Sequence, residues 1–202
     1  MMTAREALLR LQEGNARFVA GDVDPDAQCT SARREQLLEG QDPVAIVVGC
    51  ADSRVPVEFV FDQGLGDLFV IRVAGNVVSQ TQLASIEFAA QEYDAKLVVV
   101  LGHTGCGAMR AALAAVRSGR EPEPTNLRML VEKIRPAVEY AIEGGDGQGM
   151  DALADLAGRE NVRRAVDVIR NDPGVIRKLV DDEGLEIVGA EYSLATGVVE
   201  FF

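Results

Sequence analysis

The chain has 202 residues, with Lys+Arg 20 against Asp+Glu 32, a formal net charge of −12 and a sequence pI near 4.6. An acidic surface of this kind repels phosphate backbones and anionic headgroups, so we expect neither nucleic acid nor a membrane surface as a partner. Hydrophobic residues make up 48% of the chain, which excludes a disordered protein and predicts one compact domain over residues 1–202.

The amino-terminal residues MMTAREALLRLQEGNARF form a charged amphipathic pattern rather than an export signal. No stretch of the sequence approaches the roughly 18 continuous apolar residues of a membrane-spanning helix. Three cysteines, an odd number, indicate a reducing compartment in which thiols do not pair. We therefore expect a cytoplasmic protein.

Hydrophobic periodicity predicts helices that alternate with apolar strands. Helices are expected over residues 3–19, 31–39, 56–61, 79–93, 107–117, 126–142, 151–170 and 173–180. Strands are expected over residues 44–48, 68–73, 97–101, 185–190 and 198–202. Residues 22–30, 121–124 and 144–149 have loop composition, and Pro136 is expected to kink or break its helix.

This alternation predicts an α/β fold with a mainly parallel central sheet flanked by helices. We expect about four parallel strands plus a short antiparallel edge strand, preceded by a helical arm of about residues 1–40.

Chemically active side chains follow two of the predicted strands. The apolar run that begins at Val44 ends in Gly49 and Cys50, and the run at 97–101 leads into His103 and Cys106. In open α/β sheets, ligands bind outside the carboxyl ends of the strands. We therefore expect these cysteines and the histidine at one sheet edge, with His103 and Cys106 on one face of a helix start.

Two thiols and one imidazole form a typical zinc ligand set, and three protein ligands with an open fourth position indicate a catalytic site. Cys29 could be a fourth ligand only if its loop folded over the sheet edge; otherwise it is an incidental thiol. The alternative is that Cys50 and Cys106 are small buried hydrophobic residues and His103 is a hydrogen-bonded core residue. Their common position after apolar strands favours the metal site.

Asp52 and Arg54 lie directly beside the first cysteine. A guanidinium can hydrogen-bond to a carboxylate and lower its pKa, whereas an unpaired Asp52 could take the open zinc position. Without a metal, the two would form an ordinary surface salt bridge. The glycines at 102–107 do not have the order of a nucleotide-binding motif, and Ser53 has no second histidine with which to form a triad.

At these residues the chain resembles the β-class carbonic anhydrases. Cys50-Ala51-Asp52-Ser53-Arg54 is similar to the family's C-x-D-S-R motif, and His103-Thr104-Gly105-Cys106 to its H-x-x-C motif. Residues 62–76 and 84–90 are also similar; the likeness is strongest over 41–107 and loose beyond 121. It implies one Zn²⁺ per subunit on Cys50, His103 and Cys106, with a water or hydroxide in the fourth position.

The resemblance also implies reversible hydration of CO₂ to bicarbonate and a proton, in which the zinc-bound hydroxide attacks CO₂. Asp52, held by Arg54, would orient that hydroxide and gate the fourth zinc position. The protein would be a homodimer or homotetramer with active sites at the dimer interface and the helical arm packed on a partner. Its substrate pocket would include Gln41, Phe69, Ala74, Phe88 and Gly107.

Some members of this family have a regulatory bicarbonate pocket made of Trp, Arg and Tyr. Arg72 and Tyr192 match two of these positions, but Val47 stands at the Trp position, which argues against such regulation. Because two thiolates donate more charge than imidazoles, we expect activity that rises with pH. Two other functions stay open: hydrolysis of a CO₂ analogue such as CS₂, and a non-catalytic zinc-binding or redox-sensing module.

Overall fold

The computed structural model describes residues 2–23, 29–120, 125–145 and 147–202. Its strands are β1 (Ala45–Cys50), β2 (Leu68–Val73), β3 (Leu97–His103), β4 (Glu186–Tyr192) and β5 (Val199–Phe201). They form one sheet in the order β2-β1-β3-β4-β5. The first four strands pair in parallel, and β5 pairs antiparallel to β4. The predicted fold class is therefore confirmed.

The described helices agree with the predicted ones to within a few residues at each end. They are α1 (Ala4–Ala20), α2 (Ser31–Gln36), α3 (Val57–Val60), α4 (Gln80–Glu92), α5 (Gly107–Ser118), α6 (Thr125–Gly144), α7 (Met150–Arg170) and α8 (Val175–Asp182), with 3₁₀ turns at Leu37–Glu39 and Ala74–Asn76. Within the described ranges, no helix is long and apolar enough to cross a bilayer. The loop predicted at 121–124 lies outside the described residues, as do parts of those at 22–30 and 144–149.

The two central strands, β1 and β3, are buried along their whole length because helices cover both faces of the sheet. Side chains alternate across a strand, so neighbouring residues enter different cores. Ile46 packs with residues of α7 such as Val162, whereas Val47 packs with residues of α1 such as Leu11. Double coverage explains why these strands are unbroken apolar runs in the sequence.

Helix α1 is tied to its own chain through Asn15. This buried amide donates hydrogen bonds to the carbonyl oxygens of Val60 at 3.0 Å and Gly197 at 2.8 Å, and it accepts one from the Val199 N–H at 2.8 Å. The buried face of α1 thus contacts the body of the same subunit. Only its outward face, which exposes Leu9, is left for the partner contact implied by the resemblance.

Both central strands extend further than predicted. Strand β1 continues through Gly49 to Cys50, and β3 continues through Gly102 to His103. The extension of β3 follows from its partner, since His103 is still paired in register with Tyr192 of β4. The cysteine and the histidine are therefore strand residues, which fixes their backbones more firmly than a loop would.

Helix α6 is continuous through Pro136, so the helix does not end there, which is one of the two predicted outcomes. A proline inside a helix removes one backbone hydrogen bond and introduces a steric clash with the preceding turn, but tertiary packing can offset this destabilisation. Val131 and Ile134 before the proline and Val138 after it are all buried in one core with residues of α5 and α7. Packing on both sides of the proline keeps the helix continuous.

Candidate metal centre

The carboxyl ends of β1 and β3 bring the predicted ligands together. Cys50 is the last residue of β1, His103 is the last residue of β3, and Cys106 is the residue that caps the start of α5. Their sulfur and nitrogen atoms lie within 4.8 Å of one another, and all three residues are buried. Cys29 is exposed and is not part of this group.

His103 and Cys106 meet for a different reason from the one predicted. Because His103 belongs to β3 and Cys106 precedes α5, they do not share a helix face. The chain instead reverses at Thr104 and Gly105, where Gly105 has a φ of 64°. Glycine adopts this left-handed conformation at little cost, so this turn accounts for the glycine of the H-x-x-C motif.

The imidazole of His103 presents one nitrogen to the two sulfurs. Its Nδ1 lies 2.9 Å from the carbonyl oxygen of Thr104. Because a carbonyl only accepts hydrogen bonds, Nδ1 carries a proton, and in the neutral imidazole Nε2 therefore carries the lone pair. Among the described residues, Nε2 has no hydrogen-bond partner although it is buried. An orphaned lone pair beside two thiols fits a soft divalent cation such as Zn²⁺.

The two thiols also have the electrostatics of a cation site. A hydrogen bond from Cys106 is the largest effect and lowers the pKa of the Cys50 thiol against the opposing effect of burial; the Gly75 N–H, 3.3 Å from the sulfur, adds a smaller lowering. The same contact with Cys50 raises the pKa of Cys106, together with burial. The two sulfurs therefore compete for one proton. A bound cation would favour both thiolates, and the amino-terminal end of α5 would add to that effect.

The carboxylate of Asp52 is held beside the ligand group by Arg54. One oxygen, Oδ1, accepts from the Arg54 backbone N–H at 3.0 Å and from Nε at 2.9 Å, and Oδ2 accepts from Nη2 at 2.7 Å. The guanidinium keeps the pKa of Asp52 well below its usual range. Oδ2 lies 3.9 Å from His103 Nε2, so a charged carboxylate borders the cluster.

Arg72 supports the backbone between Cys50 and Asp52. Its Nε donates to the carbonyl oxygen of Cys50 at 2.8 Å, and its Nη2 donates to the carbonyl oxygen of Asp52. These bonds fix the backbone that carries both residues. Val47, which stands at the regulatory Trp position, is fully buried in the core.

The predicted pocket residues divide into two groups. Ala74 follows Val73, which pairs with Cys50, and Gly107 follows Cys106, so both adjoin the ligands. Phe69, in contrast, pairs with Ile46, four residues and about 13 Å along the strand from Cys50. Phe69 contacts the rings of Phe88 and Tyr93, and Gln41 donates to the Tyr93 hydroxyl. Within one subunit, Gln41, Phe69 and Phe88 are not brought to the ligand group.

Two residues of α7 that sequence reasoning missed support the centre. Asn161 donates through Nδ2 to the carbonyl oxygen of Gly75 at 2.9 Å, and Asp155 accepts from the Gly105 N–H at 2.7 Å. A polar residue on the apolar face of a periodic helix could have identified Asn161. Asp155 carries no comparable sequence signal.

Comparison with known proteins gives a consistent result. The family model for carbonic anhydrase matches residues 45–199. Carbonic anhydrase 2 of Mycobacterium tuberculosis is 41% identical over 187 residues, covering 93% of this chain and 87% of the relative. The carbonic anhydrase of Mycolicibacterium smegmatis is 39% identical over 190 residues, covering 94% and 89%.

Solved structures agree with the sequence relatives. A tetrameric β-carbonic anhydrase of Sordaria macrospora superposes with a TM-score of 0.76 and 26% identity, covering 84% of this chain and 85% of that one. The Coccomyxa β-carbonic anhydrase in complex with acetazolamide gives 0.75 and 26% identity, covering 96% and 85%. On its fold, its two motifs and these relatives, the chain belongs to the β-carbonic anhydrase family and is an enzyme of that family.

Proposed function

We propose that the chain catalyses CO₂ + H₂O ⇌ HCO₃⁻ + H⁺, and that Cys50, His103 and Cys106 hold one Zn²⁺ per subunit. The observation that carries the proposal is His103 Nε2, which is buried without a hydrogen-bond partner in the described part of the chain, on a residue whose ring offers a nitrogen within 4.8 Å of both sulfurs. Zinc, when bound, acts as a Lewis acid that lowers the pKa of a coordinated water toward neutrality.

In this proposal Asp52 orients the water that attacks CO₂. Its carboxylate is charged, and Oδ2 lies 3.9 Å from His103 Nε2. A carboxylate only accepts hydrogen bonds, so it holds the water by an O–H and leaves the oxygen lone pair free for the carbon of CO₂. Arg54 bonds both carboxylate oxygens and would thereby keep Asp52 from binding the metal itself, which supports the proposed gate.

The substrate pocket is proposed to form between two copies of the chain. Ala74 and Gly107 adjoin the ligands, whereas Gln41, Phe69 and Phe88 lie at the other end of the strands of one subunit. A second copy could bring its rings to the ligand edge and complete an apolar wall suited to CO₂. We therefore propose a homodimer or a homotetramer, the state described for the Sordaria macrospora enzymes. The cytoplasmic location and the single domain over residues 1–202 remain predictions from the sequence.

The experiment compares CO₂ hydration and zinc content in the wild type, Asp52→Ala and the control Asp151→Ala, whose side chain is 75% exposed. We expect all three to bind zinc and only Asp52→Ala to lose activity, by about a hundredfold, as expected for a group that guides proton transfer. A redox sensor needs only its thiolates and would not respond to Asp52→Ala. Zinc-loaded wild type that hydrolyses CS₂ but does not hydrate CO₂ would overturn the proposal.

A further inference from the structure

One peptide unit separates the imidazole of His103 from helix α7. Its carbonyl oxygen, that of Thr104, accepts a hydrogen bond from His103 Nδ1 at 2.9 Å. Its N–H, that of Gly105, donates to Asp155 Oδ1 at 2.7 Å. The two bonds lie at opposite ends of one planar amide, so carboxylate, amide and imidazole form a continuous hydrogen-bonded chain.

The direction of polarisation along this chain favours metal binding. A short bond from an amide to a carboxylate is charge-assisted and draws electron density toward the carbonyl end of the amide. The Thr104 oxygen thereby becomes a stronger acceptor for the Nδ1 proton. A stronger bond at Nδ1 fixes the tautomer and the ring orientation, and it makes Nε2 a better ligand.

We propose that Asp155 is a positioning residue for the metal ligand His103 and acts through the peptide between Thr104 and Gly105. The inference rests on the proposed zinc site and deepens it. In many metal sites, the second ring nitrogen of a ligating histidine bonds a carboxylate or a carbonyl directly. Here the carbonyl is in turn bonded to a carboxylate supplied from 50 residues along the chain.

The turn does not depend on Asp155 for its fold. The Thr104 N–H donates to the Tyr192 carbonyl oxygen at 3.0 Å, and the Leu194 N–H donates to Thr104 Oγ1 at 3.1 Å. Arg54 also reaches the Gly105 carbonyl oxygen at 3.3 Å. With these bonds intact, loss of Asp155 should alter the Thr104–Gly105 amide and the imidazole rather than unfold the loop.

The first test measures Zn²⁺ affinity by competition with a chromogenic chelator. We expect Asp155→Ala to weaken binding by about tenfold, the lower end of the range for outer partners of metal ligands. Asp155→Asn keeps an oxygen acceptor but loses the charge, so its affinity should fall in between, and it serves as the second variant if Asp155→Ala folds poorly. Asp151→Ala, one helical turn earlier, removes a carboxylate that pairs with Arg110 and should leave the affinity unchanged.

The second test observes the imidazole directly. His103 is the only histidine of the chain, so protein labelled with ¹⁵N-histidine gives ring signals that need no assignment. In both zinc-free and zinc-loaded protein, the Nδ1 proton should exchange faster with water in Asp155→Ala than in the wild type or in Asp151→Ala.

The outcomes separate this inference from the proposed function. If the wild type binds no zinc, the proposed site fails, and the zinc-free spectra still test whether Asp155 acts on the ring. If the wild type binds zinc but Asp155→Ala matches it in affinity and in Nδ1 exchange, the inference is overturned and the proposed function stands. A lower melting temperature without a change in either readout would make Asp155 a structural contact only and would also overturn the inference.

Discussion

At the scale of single residues, each candidate ligand is held by the backbone of a nearby residue. The Gly75 N–H bonds the sulfur of Cys50, and the Thr104 carbonyl bonds the ring of His103. The helix that begins at Gly107 directs its first amides at Cys106. The protein thus orients the ligands before a metal arrives, which reduces the cost of ordering them on binding.

The link between Arg54 and Asp52 should depend on the shape of the guanidinium as well as its charge. Arg54→Lys keeps the charge but cannot form the two parallel side-chain bonds. We expect CO₂ hydration to fall by about tenfold or more, as for other outer partners in metal sites, with zinc content unchanged. Stopped-flow rates would check this, with Arg177→Lys as the control, because Arg177 pairs with Asp181 at an exposed position of α8. Equal rates for wild type and Arg54→Lys would show that charge alone suffices.

That Cys50, His103 and Cys106 lie together could be predicted from the sequence, but the residues that support them could not. Cys50 and His103 follow continuous apolar runs, which are typical of buried strands. Because parallel strands have their carboxyl ends at the same edge of the sheet, the two residues are expected to lie close together. Asp155 and Asn161 act on turns that lie 50 and 86 residues away in sequence. Nothing in local periodicity reports such a contact, because it depends on where α7 crosses the sheet.

At the scale of elements, helix α7 packs closely against β3 at Gly102. A methyl group at Gly102 would lie 2.6 Å from Val162 Cγ2, whereas one at Gly158 would make only ordinary contact, 4.0 Å from the His103 carbonyl oxygen. The absence of a side chain at Gly102 therefore allows the close approach of α7 that brings Asp155 to the turn at Gly105.

Gly102→Ala should destabilise the protein by about 1–3 kcal/mol, because the added methyl overpacks a rigid contact. For a chain of this length, that corresponds to a fall of several degrees in melting temperature. Gly144→Ala, at the end of α6 with no atom within 4 Å of the added methyl, is the control and should not lower stability. Thermal unfolding followed by circular dichroism measures both. A Gly102→Ala protein as stable as Gly144→Ala would contradict the close packing.

The helices and strands could be predicted because their hydrophobic patterns are strong, but the residues at which they end could not. The strands that end at Cys50 and His103 extend past glycines that looked like stops, since pairing with neighbours continues there. The prediction that His103 and Cys106 share a helix face was wrong because strand pairing continues to His103, which is therefore not a helix residue. Helix α6 continues past Pro136 because residues on both sides of the proline are buried in one core. In each case tertiary pairing or packing overrides a local signal.

At the scale of the whole molecule, one subunit leaves an aromatic surface uncovered. Phe69, Phe88 and Tyr93 form this aromatic cluster, with ring centroids 5.8–6.2 Å apart, and Phe88 is 52% exposed. A net charge of −12 on each copy opposes association at low ionic strength. Apolar contact at this cluster is the feature that we expect to offset the repulsion. Because one chain does not reveal its partner, the assembly is a proposal rather than part of the fold.

Phe88→Glu should disrupt the proposed assembly, since it places a charge in the aromatic cluster. At about 0.15 M salt, where repulsion is screened to about 8 Å, we expect a smaller mass by light scattering and a loss of CO₂ hydration. Zinc content should be unchanged because the ligands lie elsewhere in the subunit. Met129→Glu, a similar change on the exposed side of α6, is the comparison variant. A Phe88→Glu protein with wild-type mass and activity would contradict the shared pocket.

The most direct test of the account is the rate of CO₂ hydration by zinc-loaded protein from about pH 6.5 to about pH 9, a window that brackets the value near 7 known for zinc-bound water on three histidines. Arg54 holds the pKa of Asp52 well below its usual range, so Asp52 is ionised throughout and contributes no rise. We predict a rate that increases with pH, as the attacking water loses its proton, and that is abolished by Cys106→Ser. A rate no higher than that of buffer across the window, despite bound zinc, would contradict the account.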